Sequence, residues 1–267
     1  MSMTAAQATL SRGQADDAAG LNSVGKALRL VDILAEARRP LTGSELARNA
    51  RLPKSTTFRL LAQLDESGYV ERQGPRFVVG RHVFELGNRV PDCRPTGLRE
   101  IARPYLADLF VHPLTAVHLS VLDGSDVLYI DKVFGLRSVS TPSRIGGRLP
   151  ATCSGVGKAM LAFSEESEVE RALAPGLQQL TSCSISDRSS LDKEFDRIRV
   201  EGVAYDRQEA SAGLTCVAAP IRRWGEVVGA LSLAGPVGGF VPASAAAAVR
   251  RAAVSIGRVF ADECRVA

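Results

Sequence analysis

The chain has 267 residues, 45% of them hydrophobic and 23% charged, which is long enough for two domains that each bury a core. No stretch reaches the roughly 18 consecutive apolar residues of a membrane helix, and residues 1–20 lack the apolar segment of a secretory signal. These features predict a soluble, cytoplasmic protein that does not bind a membrane and begins with a disordered tail over residues 1–20.

The net charge of +4 is unevenly distributed along the chain. Residues 21–90 hold 12 Lys and Arg against 7 Asp and Glu, whereas residues 91–267 hold 20 of each sign. Positive charge confined to one segment is expected where that segment binds a polyanion. A solvated basic surface would carry the same excess, so charge alone leaves nucleic acid binding open.

The cysteines and histidines give no sign of a disulfide or a metal site. The cysteines are odd in number, widely spaced and without a CxxC pair, and the histidines lack HExxH spacing. We therefore predict no metal site and no cofactor. The residues concerned are Cys93, Cys153, Cys183, Cys216, Cys264, His82, His112 and His118.

Three helices are predicted after residue 20. Apolar residues recur at helical spacing in the first, at Val24, Ala27, Leu28, Val31 and Leu34. Thr42 and Glu45 have the spacing of a capping box that begins a short second helix, SELARNA. A tight turn at Pro53 then leads into a third helix, KSTTFRLLAQLDES, which ends at Gly68.

The third helix has the composition of a DNA recognition helix. Phe58, Leu61 and Leu64 predict its buried face, and Lys, Ser, Thr and Arg crowd the first two turns of the exposed side. Hydroxyls that bind phosphates and an arginine that binds base edges are what insertion into the major groove requires. An ordinary solvated helix is the alternative. The candidate DNA-binding residues are Lys54, Ser55, Thr56, Thr57 and Arg59.

Two short alternating segments, YVER and RFVV, follow this helix and are joined by Gln73, Gly74 and Pro75. This pattern predicts a β-hairpin. Three helices followed by a hairpin indicate a winged helix-turn-helix domain, mainly α with a β-hairpin wing, over residues 21–80. Prolines at Pro91 and Pro95 indicate a domain boundary after a connecting segment over residues 81–94.

Residues 95–267 mix strands and helices without strict alternation. The pairs TAVHLSVL with VLYIDKV and LTCVAAPI with VVGALSL predict two β-hairpins. Helices are predicted at LREIARPYLADLF, CSGVGKAMLAF, LDKEFDRIRVEG and from Pro242 to Glu263. This half is therefore expected to be an α+β domain.

Blocks of the sequence resemble the IclR family of transcriptional regulators. In the first half these are LNSVGKALRLVDIL, LTGSELARNARLPKSTTFRLLAQLDESGYVER and FVVGRHVFELG; in the second they are RIGGRLPATCSGVGKAMLA and GVAYDRQEASAGLTCVAAPIRRWGEVVGALSLAGP. The resemblance implies a winged helix-turn-helix, a linker helix over residues 81–90 and a GAF-like effector-binding domain. It also implies binding to a double-stranded DNA operator as a homodimer or a dimer of dimers.

By the same resemblance, the positions that contact the effector in the family correspond to Leu149, Gly155, Val156, Asp206, Leu214, Cys216 and Ser232. Ala234 departs from the pattern, because some members have a second serine there. One hydrogen bond to the ligand would then be missing.

The chemistry of these residues suits a small hydroxylated carboxylic acid. Gly155 and Val156 are expected at a helix N-terminus, where free amides and the helix dipole favour a carboxylate. Asp206 would then accept a hydroxyl hydrogen bond at the opposite end of the ligand. Taken alone, Asp206 could be a turn carboxylate, and Cys216 a buried core residue.

Two alternatives to a ligand-regulated DNA-binding protein remain open. One is an enzyme on a GAF-like domain that uses Cys153 or Cys216 as a reactive thiol. Cys216 has no evident activating base in the sequence, and the helix start near Cys153 is better explained as a site of ligand capture. The other is a DNA-binding protein whose large domain serves only to dimerise. We expect the chain not to be an enzyme.

Overall fold

A computed structural model describes residues 20–93, 97–110, 114–135 and 140–266, with only the backbone for 264–266. The described residues divide into two compact units, one ending at Val90 and one beginning at Pro91. The expectations for residues 1–19, for Pro95 and for His112 lie outside the described residues. In the described part of the chain no helix is long and apolar enough to cross a membrane.

The first unit is a winged helix-turn-helix, as predicted. Its sheet is antiparallel in the order β1-β3-β2, with Val70 paired to Val79 across the hairpin. The helices pack over one core centred on Leu30, Leu46 and Leu61. The elements are α1 (Ser23–Glu36), β1 (Leu41–Thr42), α2 (Gly43–Ala50), α3 (Lys54–Glu66), β2 (Val70–Gln73), β3 (Arg76–Val79) and α4 (Arg81–Gly87).

Local interactions fix the turn between α2 and α3. The predicted capping box is present: the Glu45 amide donates to Thr42 Oγ1 at 3.2 Å, and the Thr42 amide donates to Glu45 Oε2 at 2.8 Å. Arg51 ends α2 in the left-handed region with φ 55°, a conformation that costs a non-glycine residue free energy. The Leu52 amide donates to the Ala47 carbonyl and closes the turn.

The buried face of α3 includes Thr57 in place of the predicted Phe58. Thr57 is fully buried with Leu60 and Leu61, whereas Phe58, expected in the core, is 49% exposed. The Thr57 hydroxyl is satisfied there because it donates to the Pro53 carbonyl at 3.1 Å. The expectation that Thr57 lies on the exposed side of the helix is therefore wrong.

A similar correction applies to α1. Leu34 is buried as expected, but Leu30 is the other buried residue, and Val24 and Leu28 are exposed. Ala27 and Val31 are partly buried and pack against this core, so the predicted stripe overlaps the side of α1 that faces it.

The second unit is an α+β fold with a six-stranded antiparallel sheet. Both predicted hairpins and all four predicted helices are present. The structure adds α7 and the edge strands β6 and β7, which the sequence analysis missed. The elements are α5 (Leu98–Leu109), β4 (Ala116–Asp123), β5 (Asp126–Phe134), β6 (Arg148–Pro150), α6 (Gly155–Leu161), α7 (Glu166–Leu173), α8 (Arg188–Glu201), β7 (Ala204–Arg207), β8 (Leu214–Arg223), β9 (Glu226–Pro236) and α9 (Pro242–Val266).

The sheet order β6-β5-β4-β9-β8-β7 leaves two faces to be covered. Alternate residues such as Val117, Leu231 and Val217 pack with α5 and α9 on one face. The other face packs against α6, α7 and α8 through a second core that includes Tyr129 and Phe195. The polar residues of the candidate site belong to this second face.

Candidate functional site

One small cavity, with a volume of about 20 Å³, lies between the sheet and the start of α6. Its lining is drawn from widely separated parts of the chain. All seven residues that the family resemblance implied line this cavity: Leu149, Gly155, Val156, Asp206, Leu214, Cys216 and Ser232. Ala234, the departing position, also lines it.

The start of α6 is held tightly against the sheet. Ser154 caps the helix, accepting a hydrogen bond from the Gly157 amide at 3.1 Å. A Cβ atom on Gly155 would lie 2.6 Å from the Cys216 sulfur, and one on Gly157 would lie 2.1 Å from the Ala151 carbonyl oxygen. Both glycines are thus required by close approach, and the first two residues of α6 line the cavity.

Asp206 brings a buried carboxyl group to the cavity. Its side chain accepts hydrogen bonds from the Glu209 amide at 2.7 Å and the Ala210 amide at 3.4 Å. Burial, with a further contribution from the negative charge of Glu209, raises the pKa of Asp206 to about 7. A Cβ on Gly155 would lie 3.5 Å from the Asp206 amide nitrogen, so the backbone of Asp206 lies beside the start of α6.

A buried ion pair between Lys158 and Glu209 lies next to Asp206. The Lys158 Nζ atom is 2.6 Å from both carboxylate oxygens of Glu209 and 3.6 Å from Glu194. Lys158 is completely buried although it is charged. The sequence analysis missed this pair because its members lie 51 positions apart, and no short motif joins them.

A second polar group around His118 was also missed. His118 Nε2 is 2.7 Å from the Ser143 hydroxyl, and Nδ1 is 3.4 Å from the Ser232 hydroxyl. Burial, followed by the positive charge of Lys132, lowers the pKa of His118 to about 3, so the imidazole is neutral near pH 7. Its alternation with Val117 on a predicted strand could have indicated that it faces the cavity.

The buried thiols do not have the properties of nucleophiles. Burial raises the pKa of Cys216, and the charge of Asp206 raises it further. Burial also raises the pKa of Cys153, whose sulfur donates to the Gln178 carbonyl at 3.0 Å. Both groups are therefore thiols near neutral pH, which argues against the thiol enzyme considered above. No cluster of metal-ligating side chains occurs among the described residues.

In the first unit the exposed side of α3 carries part of the predicted DNA-binding cluster. Lys54, Ser55 and Arg59 are exposed and Thr56 is half-buried, while Thr57 lies in the core. Neither Lys54 nor Arg59 pairs with an acidic side chain in the part of the chain that the structure describes. Both charges are thus available to a polyanion.

Comparison with known protein families identifies both units. Residues 23–74 match the model of the IclR helix-turn-helix domain. Residues 93–258 match the model of the bacterial transcriptional regulator IclR C-terminal domain. The two matches follow the division of the structure at Val90.

Individual relatives agree with these matches. The chain is 33% identical over 223 residues to the transcriptional repressor IclR of Escherichia coli, with 81% of each chain covered. It is 34% identical over 222 residues to the acetate operon repressor of Salmonella typhimurium, covering 81% of this chain and 80% of the relative.

Solved structures show the same fold. An IclR homolog from Microbacterium hydrocarbonoxydans in complex with 4-hydroxybenzoate is 26% identical with a TM-score of 0.82, over 92% of this chain and all of the other. The IclR structure of Thermotoga maritima is 29% identical with a TM-score of 0.77, over 90% and 99% of the two chains. The curated relatives are transcriptional regulators and not enzymes.

Proposed function

This chain belongs to the IclR family of bacterial transcriptional regulators, and on that basis we propose that a small carboxylic acid in the α6 cavity controls its binding to an operator. One observation carries the proposal: seven residues from five elements converge on one cavity that contains a buried carboxyl group. Convergent polar groups in an otherwise apolar cavity are typical of a small-molecule site.

The lining favours a hydroxylated acid. The Gly155 and Val156 amides at the start of α6 would bind the carboxylate, and Asp206 and Ser232 would bind hydroxyl or carbonyl groups. Leu149 and Leu214 would cover the apolar part of the ligand. 4-Hydroxybenzoate is both a carboxylic acid and a phenol. The complex of the Microbacterium homolog with this molecule supports the same class of ligand here.

The size of the cavity suggests how the ligand acts. A volume of about 20 Å³ is close to the space needed by a single water molecule, so any organic acid must widen the lining. A ligand that binds only a wider arrangement shifts the protein toward that arrangement, which is the differential binding that a switch requires. Two residues of the lining, Asp206 on β7 and Leu214 on β8, lie on either side of the connection between these paired strands.

The first unit would supply sequence recognition. We place α3 in the major groove, with Lys54, Ser55 and Thr56 on phosphates and Arg59 on base edges. One such helix contacts only a few base pairs, so the chain would act in the cytoplasm as a homodimer or dimer of dimers on a palindromic operator. Its affinity for DNA should fall steeply with salt, since the net positive charge lies in residues 21–90.

A thermal-shift screen of the full chain tests the ligand class. Lactate and 4-hydroxybenzoate should raise the melting temperature, because a ligand that binds the folded state stabilises it, whereas their uncharged amides should not. In the Asp206→Ala variant the same shift should require about ten to a hundredfold more acid. No shift with any carboxylic acid, together with a stable dimer, would support the alternative in which this domain only dimerises.

A further inference from the structure

Two neighbouring carboxyl groups, Asp206 in the lining of the α6 cavity and Glu209 behind it, share one counter-ion, Lys158. Lys158 places its ammonium group 2.6 Å from both oxygens of Glu209, and the Glu209 amide donates to the Asp206 carboxyl at 2.7 Å. Among the described residues no cation lies within ion-pair distance of Asp206. The ammonium group of Lys158 is therefore paired with Glu209, which lies behind the cavity, and not with Asp206, which lines it.

The three groups are buried together. Lys158, Asp206 and Glu209 are 0%, 2% and 3% exposed, so water cannot replace the missing counter-ion. A buried carboxyl without a cation avoids the cost of its charge by keeping its proton. Glu209 avoids that cost in another way, through its ion pair with Lys158.

Among the groups on other elements, the charge of Lys158 on α6 lowers the pKa of Asp206, but by less than burial and Glu209 raise it. Those that line the same cavity are neutral near pH 7: burial raises the pKa of Tyr129 on β5 and of Cys216 on β8, and lowers that of His118 on β4. Glu194 on α8 adds a second negative charge near Lys158. The titratable and charged groups concerned are thus Lys158, Glu209, Glu194, Tyr129, Cys216 and His118.

We propose that Asp206 binds the effector in its protonated form, and that the Lys158–Glu209 pair positions this carboxyl and leaves it as the group that holds the proton. The inference rests on the proposed function, because it concerns the same effector site. When Asp206 is ionised, binding takes one proton from solvent. That proton forms an O–H bond on the carboxylate, the O–H group donates to an oxygen of the ligand, and no other covalent bond changes.

The charge of the proposed ligand favours this protonation state. An ionised acid in the cavity that Asp206 lines would bring a second negative charge into the same buried site. Two like charges in a buried site cannot both persist without a cation. A protonated Asp206 removes the repulsion and adds a hydrogen-bond donor. Because the pKa of Asp206 is raised to about 7, much of this carboxyl group is protonated near neutral pH.

Infrared difference spectroscopy tests the protonation state without any ligand. Between about pH 5 and about pH 9 the wild-type chain should show the carbonyl band of a protonated carboxyl that disappears with a midpoint near 7, and Asp206→Asn should lack it. Absence of the band at the lower pH would show that Asp206 is ionised throughout and would overturn the inference.

Substitution of Glu209 tests the role of the ion pair. Glu209→Gln leaves Lys158 as the nearest cation to Asp206, so the midpoint should fall by about one pH unit or more. Glu226→Gln, which removes the same charge from the exposed first residue of β9, is the matched control and should leave the midpoint unchanged. If Glu209→Gln does not fold, Lys158→Met with Glu209→Gln replaces the ion pair by neutral groups. The midpoint of this double variant should also fall, because the charge of Glu209 raises the pKa of Asp206 by more than the charge of Lys158 lowers it, and both charges are removed. A midpoint that stays near 7 in the variant that folds would overturn the role of the pair.

Calorimetry with lactate then links the proton to binding. Its affinity for the wild type should fall about tenfold per pH unit above the midpoint, whereas Asp206→Asn, with a permanent donor, should show no such fall. If lactate binds equally at every pH and the carboxyl band is absent, the inference fails while the ligand class stands. If the band is present but neither lactate nor any other carboxylic acid binds, the ligand class fails while the protonation of Asp206 stands.

Discussion

The sulfur atom of Cys216 on β8 lies 2.6 Å from the point that a Cβ atom on Gly155 would occupy at the start of α6. The glycine is therefore needed for close packing and not for an unusual backbone conformation. This contact brings the first turn of α6, the adjacent strand β7 and the Asp206 carboxyl around one small cavity. Packing at a single glycine thus determines how much space the candidate effector site has.

Gly155→Ala should destabilise the chain by about 1–3 kcal/mol, because the added methyl group overpacks the contact with Cys216. Cys216→Ala removes the obstructing sulfur, so the double variant should recover most of that loss. Urea unfolding of both single variants and the double variant gives the coupling energy. If the two effects are simply additive, the sulfur is not what excludes a side chain at position 155.

Thr57→Val should reduce stability by about 1 kcal/mol while leaving operator affinity unchanged. The substitution keeps the shape of a fully buried side chain but removes the hydroxyl that donates to the Pro53 carbonyl. Unfolding and DNA-binding titrations on the same preparation separate the two effects. A large loss of DNA affinity in a stable Thr57→Val protein would restore Thr57 to the DNA interface.

Arg59→Ala should weaken operator binding by about 1–3 kcal/mol and relax base preference at one position of each half-site. The exposed guanidinium has no acidic partner in the described part of the chain, so no intramolecular contact compensates for its loss. Arg251→Ala, which removes the same charge from an exposed position on α9, is the control. Binding to operators with single base changes measures the preference, and a uniform loss over all of them would place Arg59 on phosphate.

The elements predicted correctly from the sequence are those encoded locally. The capping box of Thr42 and Glu45 and the turn at Gly74 and Pro75 each depend on a few adjacent residues. The missed strands β6 and β7 have only three and four residues and lie at the two edges of the sheet. They are recognisable as strands because they pair with β5 and β8, which the sequence does not reveal.

Burial of polar groups was the main failure. Thr57 was assigned to the exposed side because its residue type is polar, yet a hydrogen bond to a carbonyl four residues earlier allows it into the core. Lys158, Asp206 and Glu209 satisfy one another over long distances in the chain. The family resemblance located Asp206, but its buried surroundings follow from tertiary structure alone.

Asp206→Asn should stabilise the chain above pH 7 and have little effect near pH 4. The raised pKa of Asp206 means that the folded state retains a proton that the unfolded state releases between about pH 4 and about pH 7. The contribution of Asp206 to the stability of the wild type is therefore fully present below its pKa in the unfolded chain. It is lost as the pH rises through its pKa in the folded chain.

Asparagine is neutral at every pH and can accept the same hydrogen bonds from the Glu209 and Ala210 amides. At pH 8 we expect the variant to be more stable than the wild type by about 2–4 kcal/mol, since each unit of pKa shift corresponds to about 1.4 kcal/mol. Urea unfolding of both proteins at several pH values measures the difference. The opposing loss of stability in acid, where the buried neutral His118 resists protonation, is common to both proteins and cancels. A difference that does not change between pH 4 and pH 8 would mean that Asp206 titrates alike in the folded and unfolded chains, and that its carboxyl is not desolvated.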